Sequence, residues 1–157
     1  MEATGTMLRS RLRDCLSASM KAKDKPAVST LRLILAALKD RDIAARSKGN
    51  LSGIDDSAIL DLLQAMIRQR QESIAMYQTA GRTDLAEQEA KEIEIIKQFL
   101  PEQLDEDEMA SAVDAVIAEI EARSLKDMGR TMAELKERYA GQMDFAKASA
   151  IVKEKLA

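Results

Sequence analysis

Lys25, Arg32, Lys39 and Arg46 recur every seven residues. At about 100° per residue, seven helical steps return to nearly the same face, with a drift of only ~20°. A row of cations spaced in this way suits the phosphates of a nucleic acid, where charge neutralisation supplies much of the affinity. Arg9, Arg11, Arg13, Lys21 and Lys23 lie close by in the chain and would extend the basic region. The same spacing also arises when long basic stems lie along the border of a core with their charges in water. Both readings stand at this stage. The aromatics are two Tyr and two Phe with no Trp, and Tyr77, Phe99, Tyr139 and Phe145 all fall on apolar helical faces. Stacking of single-stranded bases therefore lacks a platform. Contact with the backbone and shape of a folded RNA is the form of binding that fits, with no DNA-specific readout expected.

Other chemistry is thinly supported. The chain has no His, which removes Ser-His and Cys-His nucleophiles and imidazole-based metal sites. Its one Cys, Cys15, falls on an inward helical face and reads as a structural thiol. One Cys makes neither an intramolecular disulfide nor a zinc cluster, in keeping with a reducing compartment. Glu87, Glu89, Glu92 and Glu94, with Asp105 to Glu108 beyond them, are numerous carboxylates that read as solvated helix faces. No calcium-loop pattern, phosphate-cradling glycine loop or paired acid-base cleft is legible. The expectation is no catalytic residue, no metal and no cofactor.

These side chains must be positioned by helices. With two Pro and six Gly in 157 residues, and abundant Ala, Leu, Glu, Gln, Met and Lys, the composition is that of an all-α protein. A first helix is predicted over Met7 to Lys23, with Leu8, Leu12, Cys15, Leu16 and Met20 inward. Asp24 is a predicted N-cap with Pro26 in the first turn of a second helix reaching Lys48. Gly49 to Gly53 reads as a loop. A third helix begins near Asp55 or Ser57 and ends at Gly81, a C′ glycine. Asp84 with Glu87 is read as the opening of a fourth, which Pro101 terminates after Leu100. Asp105 with Glu108, and Ser124 with Asp127, form two capping boxes that open a fifth and a sixth helix. Gly141 stops the sixth, and Asp144 caps a seventh carrying Phe145, Ala148, Ile151, Val152 and Leu156. The expected architecture is a bundle of about four helices over 1–100 and a small three-helix tail domain over 101–157.

Charge is unevenly distributed about the net value of −3. Met1 to Lys48 holds eleven Lys or Arg against five Asp or Glu, and Leu85 to Glu121 holds twelve acids against two Lys. The acidic stretch would repel RNA, so a protein-interaction adaptor facing a basic partner is a third reading. Met1 to Thr6 is short and polar without an apolar signal-like segment, and the longest apolar run, Leu33 to Leu38, is far below the ~20 residues of a membrane span. The expectation is a cytoplasmic protein with no membrane partner. Gly129 is anomalous, because Gly in the first turn of a helix costs up to ~1 kcal/mol relative to Ala. The expected reason is close approach of a neighbouring helix. The alternative is a helix start offering bare N–H groups to a phosphate, flanked by Lys126 and Arg130.

Lys21-Ala-Lys-Asp-Lys25 followed by Leu31-Arg32, then Arg70-Gln-Glu-Ser-Ile74, resembles the GatB/YqeY-like family, in particular its stand-alone YqeY-like proteins. Gly81-Arg-Thr-Asp-Leu85 with Glu89 and Glu92, Leu100-Pro-Glu-Gln-Leu104 and Asp127-Met-Gly-Arg130 continue the resemblance, in order, over about Met7 to Leu156. It implies a helical domain joined to a helical tail, similar to the tRNA-contacting end of the B subunit of the tRNA-dependent amidotransferase. The portion that carries out phosphorylation and amide transfer has no counterpart in this chain. The expected function is a non-catalytic tRNA-binding module. The alternative is an accessory of a glutamine-dependent amidation system (a carbon-nitrogen ligase with glutamine as amido-N-donor) that needs an amidotransferase or other translation-related partner. Carried over by position, the resemblance points to Lys21, Lys23, Lys25 and Arg32, and in the tail to Lys126, Asp127, Met128, Gly129 and Arg130. The chain departs from the family pattern at Phe145, where a small residue is usual, and at Thr131, where an aliphatic one is more typical.

Overall fold

The computed structural model describes residues 4–157, with side chains from Met7 onward; the first part of the polar Met1 to Thr6 segment lies outside the described residues. Every regular element among the described residues is helical: α1 (Thr4–Lys21), α2 (Lys25–Arg46), α3 (Asp56–Thr79), α4 (Thr83–Lys97), α5 (Glu106–Ile120), a 3-10 turn at Leu125–Asp127, α6 (Met128–Arg138) and α7 (Phe145–Leu156). The chain's contacts group into two compact units, Met1–Leu100 and Pro101–Ala157.

In the first unit the apolar stripes of four helices meet in one core. Leu12, Leu31, Ile34, Ile59, Leu63 and Ile96 are fully buried, and Leu8, Leu38, Ile67 and Phe99 close the cluster. A buried Leu or Ile contributes roughly 1.5–3 kcal/mol over its exposed state, so this cluster outweighs every surface ion pair of the unit. Cys15 is partly buried against the same core. Met20 differs from the expectation. It is half exposed because Leu16 is the last residue of α1 that packs on the core.

Local signals set the helix ends. The Asp24 carboxylate accepts from the Ala27 N–H, and Asp55 accepts from Ala58. Between α1 and α2 the chain reverses through Lys23, at φ 59°, with Asp24 N–H donating to the Ser19 carbonyl and Lys23 N–H to Met20. This is a Schellman closure with Lys where Gly is usual. Gly81 makes the same closure after α3, at φ 75°. The fourth helix corrects one expectation. It starts at Thr83 after Arg82, and Asp84 is not its cap, because both Asp84 carboxylate oxygens accept from the Arg82 guanidinium instead.

The second unit packs α5, α6 and α7 around Val113, Val116, Leu135, Met143, Ala148 and Val152. Both predicted capping boxes form, at Asp105 with Glu108 and at Ser124 with Asp127, the latter on the 3-10 turn that leads into α6. Asp144 caps α7 through the Ala146 N–H. Phe145 is partly buried against this core, and Thr131 is fully buried with its hydroxyl donating 2.9 Å to the Asp127 carbonyl. Both departures from the family pattern are thus packing residues.

Candidate nucleic-acid interface

The turn between α1 and α2 gathers part of the basic region around one hollow. A groove of about 710 Å³ is lined by Met20, Lys23, Lys25, Val28, Ser29, Arg32 and Leu33. Its apolar floor is unusual for a surface, since Met20 is 50% and Leu33 47% exposed. Lys23, Lys25 and Arg32 are exposed, and among the described residues none of them forms an ion pair. The left-handed conformation at Lys23 fixes where its stem leaves the backbone.

Lys21, Lys39 and Arg46 are exposed but outside this groove. At 1.5 Å per residue, Lys39 lies about 21 Å and Arg46 about 31 Å along α2 from Lys25. The seven-residue stripe therefore runs the length of the helix as a ladder of solvated cations, with its first two rungs at the groove.

Two cations of α1 have other work. Arg9 forms two hydrogen bonds of 2.6 Å with Asp42 and a third, of 2.8 Å, to the Ile54 carbonyl. Arg11 lies over the Phe99 ring at 5.5 Å and donates to the Gln98 carbonyl. A cation is available to a phosphate only if the fold has not already paired it, and spacing alone does not report that.

In the tail unit, Lys126 is exposed, whereas Arg130 is held by Asp127 at 3.0 Å and donates to the Ile120 carbonyl. Gly129 corrects the close-approach expectation. A Cβ there would meet nothing within 4 Å, because that side of the first turn of α6 faces open space. The Asp127 carboxyl is held below its ordinary range by the Arg123 N–H first, then by Arg130 and the Ser124 N–H.

Two stretches that carried the family resemblance meet across α3 and α4. The Arg70 guanidinium lies 3.1 Å from Glu92 and 3.8 Å from Glu89, all largely buried. Burial, and then the neighbouring Glu92, push the Glu89 carboxyl above its ordinary value. This triad couples two helices, so the stretches are explained by packing.

The Yqey-like protein family matches residues 9–156, nearly the whole chain. The chain belongs to the YqeY-like family. Among YqeY-like relatives, the chain is 38% identical over 89 residues to the Altered inheritance of mitochondria protein 41, mitochondrial, of Lachancea thermotolerans, covering 57% of this chain and 46% of that one. Similarity to the protein of the same name in Saccharomyces cerevisiae is 32% over 91 residues, covering 58% and 47%. An uncharacterized protein of Schizosaccharomyces pombe is 34% identical over 95 residues, covering 60% and 73%. The chain spans about half the length of the relatives named for mitochondria. Those names overturn the cytoplasmic expectation. The physical reason is that compartment is addressed by targeting segments, not by the composition of a folded helical unit.

The floor of the groove was not legible as a site in the sequence, where Met20 and Val28 are expected to face the core. Met20 and Val28 fit the core stripe of their helices, and only the placement of the α1–α2 turn leaves them beside three cations. The lone signal was Lys23 itself, one residue before an N-cap, where a helix-closing Gly is usual.

Proposed function

We propose that this YqeY-like chain is a non-catalytic RNA-binding module, with tRNA as the RNA, holding phosphates on the cationic rim of the groove between α1 and α2. The observation that supports it is the clustering of Lys23, Lys25 and Arg32 at one hollow, exposed and without ion pairs among the described residues. Cations in that state exchange only water and counterions for phosphate, so the gain is not offset by a broken salt bridge. Lys21, Lys39 and Arg46 extend the rim along the helices, and in the tail unit Lys126 and Gly129 are a secondary patch from which Arg130 is drawn away by its pairing with Asp127. The choice of tRNA follows from the resemblance to the tRNA-contacting end of the amidotransferase B subunit.

The test is binding of the full chain to a deacylated tRNA pool at several salt concentrations, beside a variant with Lys25, Arg32 and Lys39 changed to Glu. Wild-type binding should weaken steeply with salt. The variant should bind at least tenfold more weakly, with a salt slope smaller by about 2–3, since each phosphate contact contributes about 0.7–0.9. Equal binding by a folded variant would sink the proposal.

A further inference from the structure

The groove between α1 and α2 holds more than a phosphate contact requires. Along α2, Lys25, Ser29 and Leu33 stand one turn apart on one face, and Val28 and Arg32 form the row beside them. The first row spans about 12 Å at 1.5 Å per residue, longer than a single phosphate group. Met20, near the end of α1, and Lys23, in the turn, complete the lining. Exposed cations on any helix suffice to contact an RNA backbone. They account for the rim and leave the floor unexplained.

That floor is apolar and open. Met20 and Leu33 are half-exposed, and Val28 is partly buried between the cations of the rim. Apolar surface gathered in a hollow favours a ligand that covers it. Among the described residues the lining holds three cations and no carboxylate, so the covering group must itself be joined to anions. A nucleotide whose base lies outside the stack has this composition, a flat apolar face beside a phosphate. A paired duplex does not, because its base faces are covered.

The aromatic side chains give a base no other seat. Phe99 is buried in the first core, Phe145 and Tyr139 pack against the second, and Tyr77 is partly buried. The groove assembles an aliphatic platform in their place. A flipped base is commonly held between apolar side chains. The Met20 thioether suits the edge of an aromatic ring, and the planar Arg32 guanidinium both pairs with phosphate and stacks on a base. The Ser29 hydroxyl, in the same lining, is a donor and acceptor for a base edge.

On the reading that the rim holds RNA phosphates, we infer that the floor receives an unpaired base, so that the groove selects RNA carrying an extruded nucleotide over a continuous duplex. The base lies on Met20, Val28 and Leu33, and its flanking phosphates lie on Lys23, Lys25 and Arg32.

The experiment is titration of the full chain, at several salt concentrations, with an RNA hairpin carrying a bulge of three uridines. The same hairpin with three abasic residues in the bulge has equal phosphate charge and no base to offer. Wild type should prefer the uridine bulge by about fivefold to tenfold, the effect of covering one face of a base with apolar surface. Leu33→Gln and Met20→Gln, both at half-exposed positions, should lose most of that preference. Equal affinity of wild type for the two hairpins, with steep salt dependence, would overturn the base site and leave the phosphate reading standing, with the floor free for the apolar side chains of a protein partner. Binding of neither hairpin at low salt would overturn both. A preference that persists in the two folded floor variants would place the base elsewhere and overturn the assignment.

Discussion

Arg9 and Asp42 face each other through two parallel hydrogen bonds of 2.6 Å, and the same two side chains hold the backbone of Ile54 at its carbonyl and at its N–H. Arg9 donates to the Ile54 carbonyl at 2.8 Å, and Asp42 accepts from its N–H at 2.9 Å. One ion pair thereby fastens α1, α2 and the entry to α3.

Removing half of this clamp should cost about 1–3 kcal/mol, because a charged partner is left largely buried without its counter-ion. Asp42→Asn should therefore unfold at lower denaturant at neutral pH. The Arg9 hydrogen bond first, with the Ile54 N–H and nearby charge, holds the Asp42 carboxyl below its ordinary range against the opposing effect of burial. A lowered folded-state value gives stability that is present above the ordinary carboxylate range and lost as pH falls through the folded value. The gap between variant and wild type should accordingly narrow below about pH 4. Gly53, at φ 91°, closes the clamp, since a Cβ there would stand 2.6 Å from Arg9 Nη2 and 2.9 Å from Asp42 Oδ1. Gly53→Ala should destabilise as well, and urea unfolding of both variants reads the effect.

Glu89 carries the opposite sign. Its carboxyl is pushed up in the folded chain, so ionisation weighs against the fold, and stability from this group is greatest at low pH and declines as pH rises through its raised value. Glu89→Gln keeps a neutral side chain of the same shape, while Arg70 retains Glu92 at 3.1 Å. The variant should match wild type in acid and become the more stable protein toward neutral pH, as read by thermal melts at several pH values.

Lys23 and Glu121 are the two non-glycine residues at positive φ among those described, at 59° and 55°. Both close helices through Schellman-type hydrogen bonds, where a left-handed L-residue costs about 1–2 kcal/mol and Gly does not. After subtracting the greater unfolded-state freedom of Gly, Lys23→Gly and Glu121→Gly should each stabilise by roughly 0.5–1 kcal/mol. Only Lys23→Gly should also weaken tRNA binding. Loss of binding in both, or in neither, would separate Lys23 from the RNA surface.

Gly129 lies in a helix at ordinary φ with open space where a Cβ would stand. Gly129→Ala should raise stability by about 0.5–1 kcal/mol. A lower melting temperature would mean that the first turn of α6 needs its bare backbone.

Secondary structure was legible because its causes are local. Period-3.6 stripes, Asp24, Asp55, Asp105 and Asp144 as caps, the Ser124–Asp127 box and Gly81 act within one or two turns and appear at the positions the residues specify. Where a local signal had a nearer competitor it misled, as at Asp84, which bonds Arg82 and leaves the start of α4 uncapped.

What the residues alone determined is the helical class, the cap positions other than that of α4, and the existence of a cationic stripe. Which cations stay free was decided by tertiary structure. Arg9 and Arg11 are consumed by partners 33 and 87 residues away, while Lys23, Lys25 and Arg32 are left at a groove. The same holds for Thr30, an unremarked helical residue in the sequence that packing leaves 1% exposed with its hydroxyl unpaired. Periodicity orders side chains around one helix axis. Pairing, burial and cavities depend on distances between helices, which no short window of sequence contains.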